Sequence, residues 1–314
     1  MKLLKIAIVG VGSIAIRHIR NINRCLNNKR ISFQIDIYRS GFGRVLPEDI
    51  LRVIANQYLI NKEIVEQYDV IFITNPTSLH FESLKRFQHF GKYFFIEKPV
   101  FSSYQKEQRE LDLLDYRKCY VACPLRYHPL IEYVKNNLNT QKVISVRVIS
   151  SSYLPDWRPG TDYRKCYSAH VDQGGGVDID LIHEWDYITY IFGKMDIGYC
   201  ILDKMSDLEI ECNDIAIYIA RKQSTTFELH LDYFGRKPIR IMQLFTDSDT
   251  INCDILNGTI SFLCSGKKVL FECERNEYQY KEIEHFFDIV SGKIESDSTI
   301  EHAVQLLRYA KGVF

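Results

Sequence analysis

Residues 6–22 read IAIVGVGSIAIRHIRNI. An apolar run, Ile6 to Val9, enters a turn at Gly10-x-Gly12-x-x-Ala15 and leaves it as a helical pattern. Each small residue has a physical purpose in that order. The first glycine permits the tight turn, the second lets backbone approach a pyrophosphate, and Ala15 lets the helix pack close to the sheet. The helix start then offers unpaired N–H groups and a positive dipole end to phosphates. Gly10, Gly12, Ser13 and Ile14 are therefore expected to hold a dinucleotide.

Working outward, the first 120 or so residues alternate apolar runs with helical patterns, the grammar of a parallel sheet covered by helices. Strands are expected at Ile6–Val9, Phe33–Tyr38, Tyr58–Ile60, Val70–Thr74, Tyr93–Ile96 and Tyr120–Cys123, and helices over 13–27, 47–56, 78–90 and 104–116. From about residue 143 the pattern changes to longer alternating stretches: VISVRVISSS, GYCILDKM, DIAIYIAR, TTFELHLDYF, IRIMQLF, GTISFLC and KKVLFEC. Turn formers such as Asn257-Gly258 and Gly266 separate them, which predicts antiparallel hairpins. Two helical patterns close the chain, over 277–291 and 298–312, the second with Ala303, Val304, Leu307 and Ala310 on one face. The expected architecture is α/β: a doubly wound parallel Rossmann sheet over residues 1–122, then an α+β domain over 123–314 with a large, open, mostly antiparallel sheet. The 314 residues suit two domains, since one core rarely keeps growing to that size.

The composition, 46% hydrophobic and 25% charged, is that of an ordinary globular chain. Forty basic residues balance forty acidic ones, which removes the electrostatic signature of a nucleic-acid binder. No apolar run approaches the roughly 20 residues that span a bilayer, and MKLLKIAIVGVG lacks a cleavage-site pattern, so no membrane partner is expected. Nine scattered cysteines, none spaced Cys-x-x-Cys, suggest neither a disulfide framework nor a zinc site and point to a reducing cytoplasm.

A ribose hydroxyl is usually met by Asp or Glu at the end of the second strand. Here FQIDIYRSG ends in Tyr38-Arg39-Ser40, with Asp36 two residues inside the strand. Arg39 and Ser40 could bind a 2′-phosphate by charge and hydroxyl donation, so NADP(H) is expected over NAD(H), which stays possible. FITNPTSLH (72–80) places Thr74, Asn75, Pro76 and His80 after another strand, where Thr77 or Ser78 could equally be a helix cap. FIEKPV (95–100) places Glu97 and Lys98 at the carboxyl end of a third strand, the side of such sheets where ligands bind.

Further on, residues 172–188 read DQGGGVDIDLIHEWDYI. On one continuous helix Asp180, His183, Glu184 and Tyr187 would share about a third of the circumference. A divalent metal would want a second histidine or several convergent carboxylates, and no metal is expected. A hydride moved to or from a bound dinucleotide is accompanied by a proton, so a positioned acid/base is needed. Lys98 and His183 suit that role, because a desolvated lysine can be shifted toward neutrality and histidine starts near it. We expect His183 at the reacting hydroxyl, Lys98 hydrogen-bonding that oxygen or exchanging roles, and Asp180 orienting one or both.

Together GVGSIAIRH, TNPTSLH, EKPV and GGGVDIDLIHEWD resemble the glucose-fructose oxidoreductase and inositol dehydrogenase family over nearly the whole chain. The resemblance implies NAD(P)-dependent oxidation or reduction of a sugar or cyclitol carbinol. It maps the Glu-Lys-Pro signature onto Glu97, Lys98 and Pro99, and the acid-plus-histidine pair onto Asp180 and His183. Many members separate acid and histidine by four positions; here the interval is three, which puts the role of Asp180 in question. The irregular YLPDWRPGTDYRKCYSAH (153–170) offers aromatic faces and guanidinium groups in Trp157, Arg158, Tyr163 and Arg164, and PLRYHP (124–129) adds Arg126 and Tyr127. The alternative is a surface connection with solvated charges.

WRPGTDYR followed by QGGGVDIDLIHEWDYI resembles members linked to bacterial surface-carbohydrate biosynthesis, which implies an anionic sugar, a nucleotide sugar or sugar acid, as substrate. A neutral cyclitol or aldose is the alternative. So are a non-catalytic NADP(H)-binding sensor or scaffold, and a redox-neutral lyase or glycosidase that returns its hydride. An open sheet with one apolar face predicts a homodimer or homotetramer packed through the C-terminal sheet.

Overall fold

The computed structural model describes residues 3–43, 45–104 and 118–314. Its first sheet has six strands, β1 (Leu4–Val9), β2 (Phe33–Arg39), β3 (Ile54–Leu59), β4 (Tyr68–Ile73), β5 (Gly91–Ile96) and β6 (Cys119–Val121), in the order β3-β2-β1-β4-β5-β6. Every neighbouring pair is parallel. Its two central strands, β1 and β4, bury Ile6–Val9 and Val70–Ile73 completely, as strands covered on both faces must. Helix α1 (Ser13–Asn28) turns Ala15, Ile16, Ile19, Ile22, Cys25 and Leu26 inward.

One element departs from expectation. In place of a helix over 47–56 there is a single turn, α2 (Glu48–Leu51), and then β3, an edge strand four residues longer at its start than anticipated. The run Ala55-Asn56-Gln57 is polar and exposed, so its strand character is invisible to a hydrophobicity pattern. Long-range bonds draw it in: Asn56 Nδ2 donates to Asp36 and Arg39 donates to Gln57. The helix expected over 78–90 is a short 3₁₀ turn, Thr77–Leu79, followed by α3 (His80–Phe87). The one expected over 104–116 lies, beyond Tyr104, outside the described residues.

The second sheet has eight strands: β7 (Val143–Tyr153), β8 (Ile197–Asp203), β9 (Ile215–Lys222), β10 (Thr225–Asp232), β11 (Phe234–Thr246), β12 (Thr250–Asp254), β13 (Thr259–Phe262) and β14 (Lys268–Leu270). Their order is β14-β13-β12-β11-β7-β10-β9-β8, antiparallel throughout except for β7 beside β10. Alternation along the strands puts Val146, Val148, Phe227, Leu229, Met242 and Leu244 in the core. Against that sheet's unit pack α4 (Pro129–Asn137), α5 (Val177–Asp180) and α6 (His183–Phe192), with Trp185 of α6 fully buried against Tyr218, Tyr309 and Phe314.

The chain forms two compact units, but a single cut near residue 122 does not separate them. Residues through Cys123 cluster with Gln279–Val304, and Pro124–Tyr278 clusters with Gln305–Phe314. Helix α7 (Arg275–Val290) inserts Phe286 among Phe72, Phe95 and Tyr120, and Glu282 accepts the Cys123 amide at 2.5 Å. Ser298 exchanges bonds with Val121 at the sheet edge, just before α8 (Ile300–Ala310). Among the described residues no helix is long and apolar enough to cross a membrane, and no group of His, Cys, Asp and Glu is gathered to hold a metal ion.

Candidate active site

In the first unit the chain runs outward from β1 to β3 and then crosses back to β4, so the order reverses beside β1. Gly10 stands at that point with φ +88°, and a Cβ on it would lie 2.5 Å from Cα and Cβ of Asn75. Both the left-handed backbone and the contact with the turn after β4 require glycine. Gly12 is extended, and a Cβ on it would meet nothing within 4 Å. No side chain caps α1, so the amides of its first turn open into free space with the positive end of the helix behind them. That is a mouth shaped for a pyrophosphate, with Ser13 exposed and Ile14 half-buried at its rim.

The remaining residues of this half divide between facing outward and bracing the turns. Thr74 is a brace: its hydroxyl donates to the carbonyls of Val9 and Gly10, at 3.2 and 2.7 Å, and so is spent on the glycine turn itself. His80, expected at a cofactor, is also a brace. It is 1% exposed, and its ring nitrogens face the carbonyls of Asn75, Pro99 and Val100. Burial lowers its pKa, against the opposing pull of those carbonyls and the Glu97 charge. Asn75 donates to Ser83, while its Oδ1 is buried without a partner among the described residues, an acceptor that a ligand donor or a water would satisfy. Pro76 is exposed.

Glu97 accepts from the buried His18 Nε2 at 2.5 Å and from the Lys98 amide at 3.2 Å. Burial pushes its carboxyl up, but the His18 bond and charge, with Lys98 and His80, prevail and hold it below the usual range. Glu97 thus ties the end of β5 to α1, where a cofactor contact was expected. Lys98 follows, partly exposed, with a cis peptide to Pro99. His18 was missed by sequence reading; the available signal was a histidine on the buried Ala15–Ile19–Ile22 face.

At the end of β2, Asp36 is consumed by donors from Gln34, Asn56 and Tyr68. Arg39 is only 7% exposed and donates to Gln57 at 2.9 Å, and Ser40 is exposed.

In the second unit the continuous helix expected through 177–188 is broken. Leu181, at φ −96° and ψ 28°, ends α5, and α6 starts afresh at His183. The shared face dissolves with it: Glu184 turns into the core and accepts from Arg240 at 2.7 Å, and Tyr187 is fully buried. Asp178 pairs with Lys311 at 2.5 Å, and Asp186 takes a forked bond from Arg126. Arg126, expected at the substrate, is therefore an internal strut, 3% exposed. Tyr127 is half-buried in the adjoining turn.

Asp180 and His183 keep a separate environment. Asp180 is buried and accepts from the Tyr233 hydroxyl at 2.7 Å. Tyr167 also bonds it; burial, then the Asp180 charge and bond, raise that phenol's pKa. Tyr233 is raised well above its ordinary value for the same reasons. Both phenols thus stay protonated as donors, and Asp180 is an acceptor held from two sides. His183 is partly exposed at the head of α6.

The 153–170 loop is what brings these tyrosines in. Trp157 donates to Ser152 and sets its ring edge-on to Tyr233 at 5.2 Å, and the Arg158 guanidinium lies 5.0 Å over the Tyr167 ring. Tyr163 and Arg164 do otherwise than expected. The Tyr163 hydroxyl accepts the Glu209 amide, and Arg164 forks onto Asp162 and reaches Glu209, so both fasten the loop. The glycines serve the same end. A Cβ on Gly175 would collide with the Tyr167 carbonyl, so the close approach they permit is to the chain's own loop. Tyr233 left no sequence signal beyond following Asp232, where alternation in TTFELHLDYF fails.

A 3-2-1-4-5-6 parallel sheet with a glycine turn and an open helix mouth at the reversal defines a dinucleotide-binding Rossmann protein. Residues 4–123 match the oxidoreductase family with an NAD-binding Rossmann fold, GFO_IDH_MocA. Over these residues, a little more than a third of its length, the chain is similar to the glucose-fructose oxidoreductase and inositol dehydrogenase family. It is 25% identical over 194 residues, 60% of the chain, to the uncharacterized oxidoreductase YrbE of Bacillus subtilis (strain 168), spanning 53% of that protein. Inositol 2-dehydrogenase of Rhizobium meliloti (strain 1021) is 24% identical over 135 residues, 42% of the chain and 39% of that protein. The chain thus spans about half or less of the curated relatives it matches. In fold it is similar end to end to UDP-N-acetylglucosamine 3-dehydrogenase GnnA from Acidithiobacillus ferrooxidans, with a TM-score of 0.72 and 17% identity over 100% of this chain and 97% of that one.

Proposed function

We propose that this protein is an NAD(P)-dependent oxidoreductase acting on a carbinol of a sugar, with Lys98 and His183 as acid/base groups and Asp180 as the orienting carboxylate. The observation that carries the reading is Asp180, a buried carboxylate held by two phenols three residues before a partly exposed histidine. A bound nicotinamide supplies the hydride acceptor or donor. The chain's part is the proton: His183 takes it from or returns it to the substrate hydroxyl, Lys98 stabilises that oxygen, and Asp180 fixes the geometry. Gly10, Gly12 and the first amides of α1 would hold the pyrophosphate, with Asn75 Oδ1 as an acceptor.

Lys98→Met and His183→Asn are the test. Each should lower turnover roughly a hundredfold to ten-thousandfold, with the cofactor dissociation constant nearly unchanged. Near-normal turnover in both overturns the assignment.

Among the described residues no carboxylate is free at the end of β2, where Arg39 and Ser40 stand, and this supports a preference for NADP(H) over NAD(H). Titration with both decides it, equal or tighter NAD(H) binding reversing the preference. For the substrate, the aromatic and cationic 153–170 loop beside Asp180 supports an anionic sugar, in keeping with a fold neighbour named for a UDP-sugar. A neutral cyclitol is the second reading, favoured by the inositol 2-dehydrogenase relative. Turnover only with uncharged polyols defeats the first. The second unit would serve as the substrate-binding and oligomerisation part.

A further inference from the structure

Glu97 ties the end of β5 to α1, yet that duty alone does not call for a charge. It accepts from His18 Nε2 at 2.5 Å and, through its other oxygen, from the Lys98 amide at 3.2 Å. A glutamine oxygen would keep the shorter bond without a charge being taken out of water. His18 is given over to holding this carboxylate. Its ring lies 5.8 and 5.0 Å from the rings of Phe72 and Phe95, and its Nδ1 is buried with no partner among the described residues.

Besides His18, two basic side chains stand close enough to draw the Glu97 carboxyl down, Lys98 and His80. His80 is a poor counter-charge. It is 1% exposed, burial lowers its own pKa, and its ring nitrogens face the carbonyls of Asn75, Pro99 and Val100. The ring is therefore uncharged at neutral pH, which leaves Lys98, the next residue along the chain, as the standing cation. Attraction between two charges acts on both. A desolvated lysine would shift toward neutrality, and a fixed carboxylate beside it favours the ammonium instead.

We propose that Glu97, fastened by His18, is a positioning residue that keeps Lys98 an ammonium, so that Lys98 donates a hydrogen bond to the reacting oxygen and never serves as the base. The proposal rests on the reading of Lys98 and His183 as the groups at the reacting hydroxyl. On oxidation the hydride leaves the carbinol carbon for the nicotinamide, the hydroxyl proton passes to His183, and Lys98 keeps all its protons. On reduction each transfer runs in reverse.

The test is an NMR titration of the full chain, its lysines reductively methylated with carbon-13, from about pH 7 to about pH 11, a range that spans ordinary lysine. The Lys98 signal is the one that Lys98→Arg removes. Glu97→Gln should lower its midpoint by about half a pH unit or more, which is about threefold more free amine at a given pH. Glu97→Asp, which keeps the charge, should restore part of the difference, and His18→Gln, which keeps a donor to the carboxylate, should lower the midpoint less than Glu97→Gln does. Lys92, paired with Asp69 at 2.6 Å near the start of β5, should not move. Equal Lys98 midpoints in wild type and Glu97→Gln, or a wild-type Lys98 that titrates near neutrality, overturn the proposal. The titration needs no substrate, so its failure is distinct from that of the site reading, which near-normal turnover of Lys98→Met and His183→Asn would show.

Discussion

At the scale of single residues, Gly10 and Tyr233 show how little freedom the candidate site has. Gly10→Ala would put a methyl 2.5 Å from Asn75 on a backbone at φ +88°. Strain and overpacking together should cost about 2–4 kcal/mol and weaken dinucleotide binding; an unchanged urea midpoint would refute this. Tyr233→Phe removes a single oxygen, the 2.7 Å donor to a buried carboxylate. Hydrogen bonds to charged groups are worth about 1.5–3 kcal/mol, so kcat/KM should fall about tenfold or more at constant cofactor affinity. The glycine was legible from its motif. The tyrosine was not, because a lone phenol after a strand announces no partner until the fold brings Asp180 to it.

At the scale of elements, polar pairs splice the helices into place. The His18–Glu97 bond joins α1 to the end of β5, and its carboxyl lies below the ordinary value of 4.5. A depressed folded-state pKa stabilises fully above the unfolded value and is lost as pH falls through the folded one. Glu97→Gln should therefore destabilise the protein at neutral pH, and the gap from wild type should shrink below about pH 4.5. A gap that widens on acidification would contradict the assignment. Lys311, partly exposed, neutralises the fully buried Asp178 at the start of α5. Lys311→Met should cost about 2 kcal/mol, less than the roughly 3–5 of a fully buried pair because water reaches the ammonium. Equal thermal stability would show the pair to be dispensable. Sequence periodicity merged α5 and α6 into one helix since it registers only 3.6-residue spacing; the break at Leu181 is set by what Asp178, Glu184 and Trp185 pack against.

At the scale of the whole chain, one face of the second sheet carries exposed apolar side chains among the described residues. Tyr199 pairs with Ile219 and Ile201 with Ile217 across β8 and β9, and Tyr199, Ile201 and Ile219 are all more than half exposed. Continuing over β10, β7 and β11, this face holds a groove of about 410 Å³ lined by Ile149, Ile239, Glu228 and His230. Contiguous apolar surface of that kind fits the homo-oligomer expected from alternation in DIAIYIAR. Tyr199→Arg with Ile219→Glu should reduce the sedimenting species to a monomer, whereas a wild-type protein that is already monomeric would remove the proposal.

By itself the sequence determined what depends on local sterics and periodicity: the Gly10-x-Gly12 turn, the buried strands, the alternating second half, and the class of fold they define. Those features report on the neighbours of a residue along the chain. Tertiary structure alone decided which polar groups are occupied. Arg126, Arg164, His80 and Glu97 read as available to ligands until carboxylates, carbonyls and a histidine distant in sequence were found on them. Tyr233 gained its meaning the same way, as the donor to Asp180. A charged side chain's role is set by its nearest counter-charge or acceptor, and that neighbour is chosen by folding.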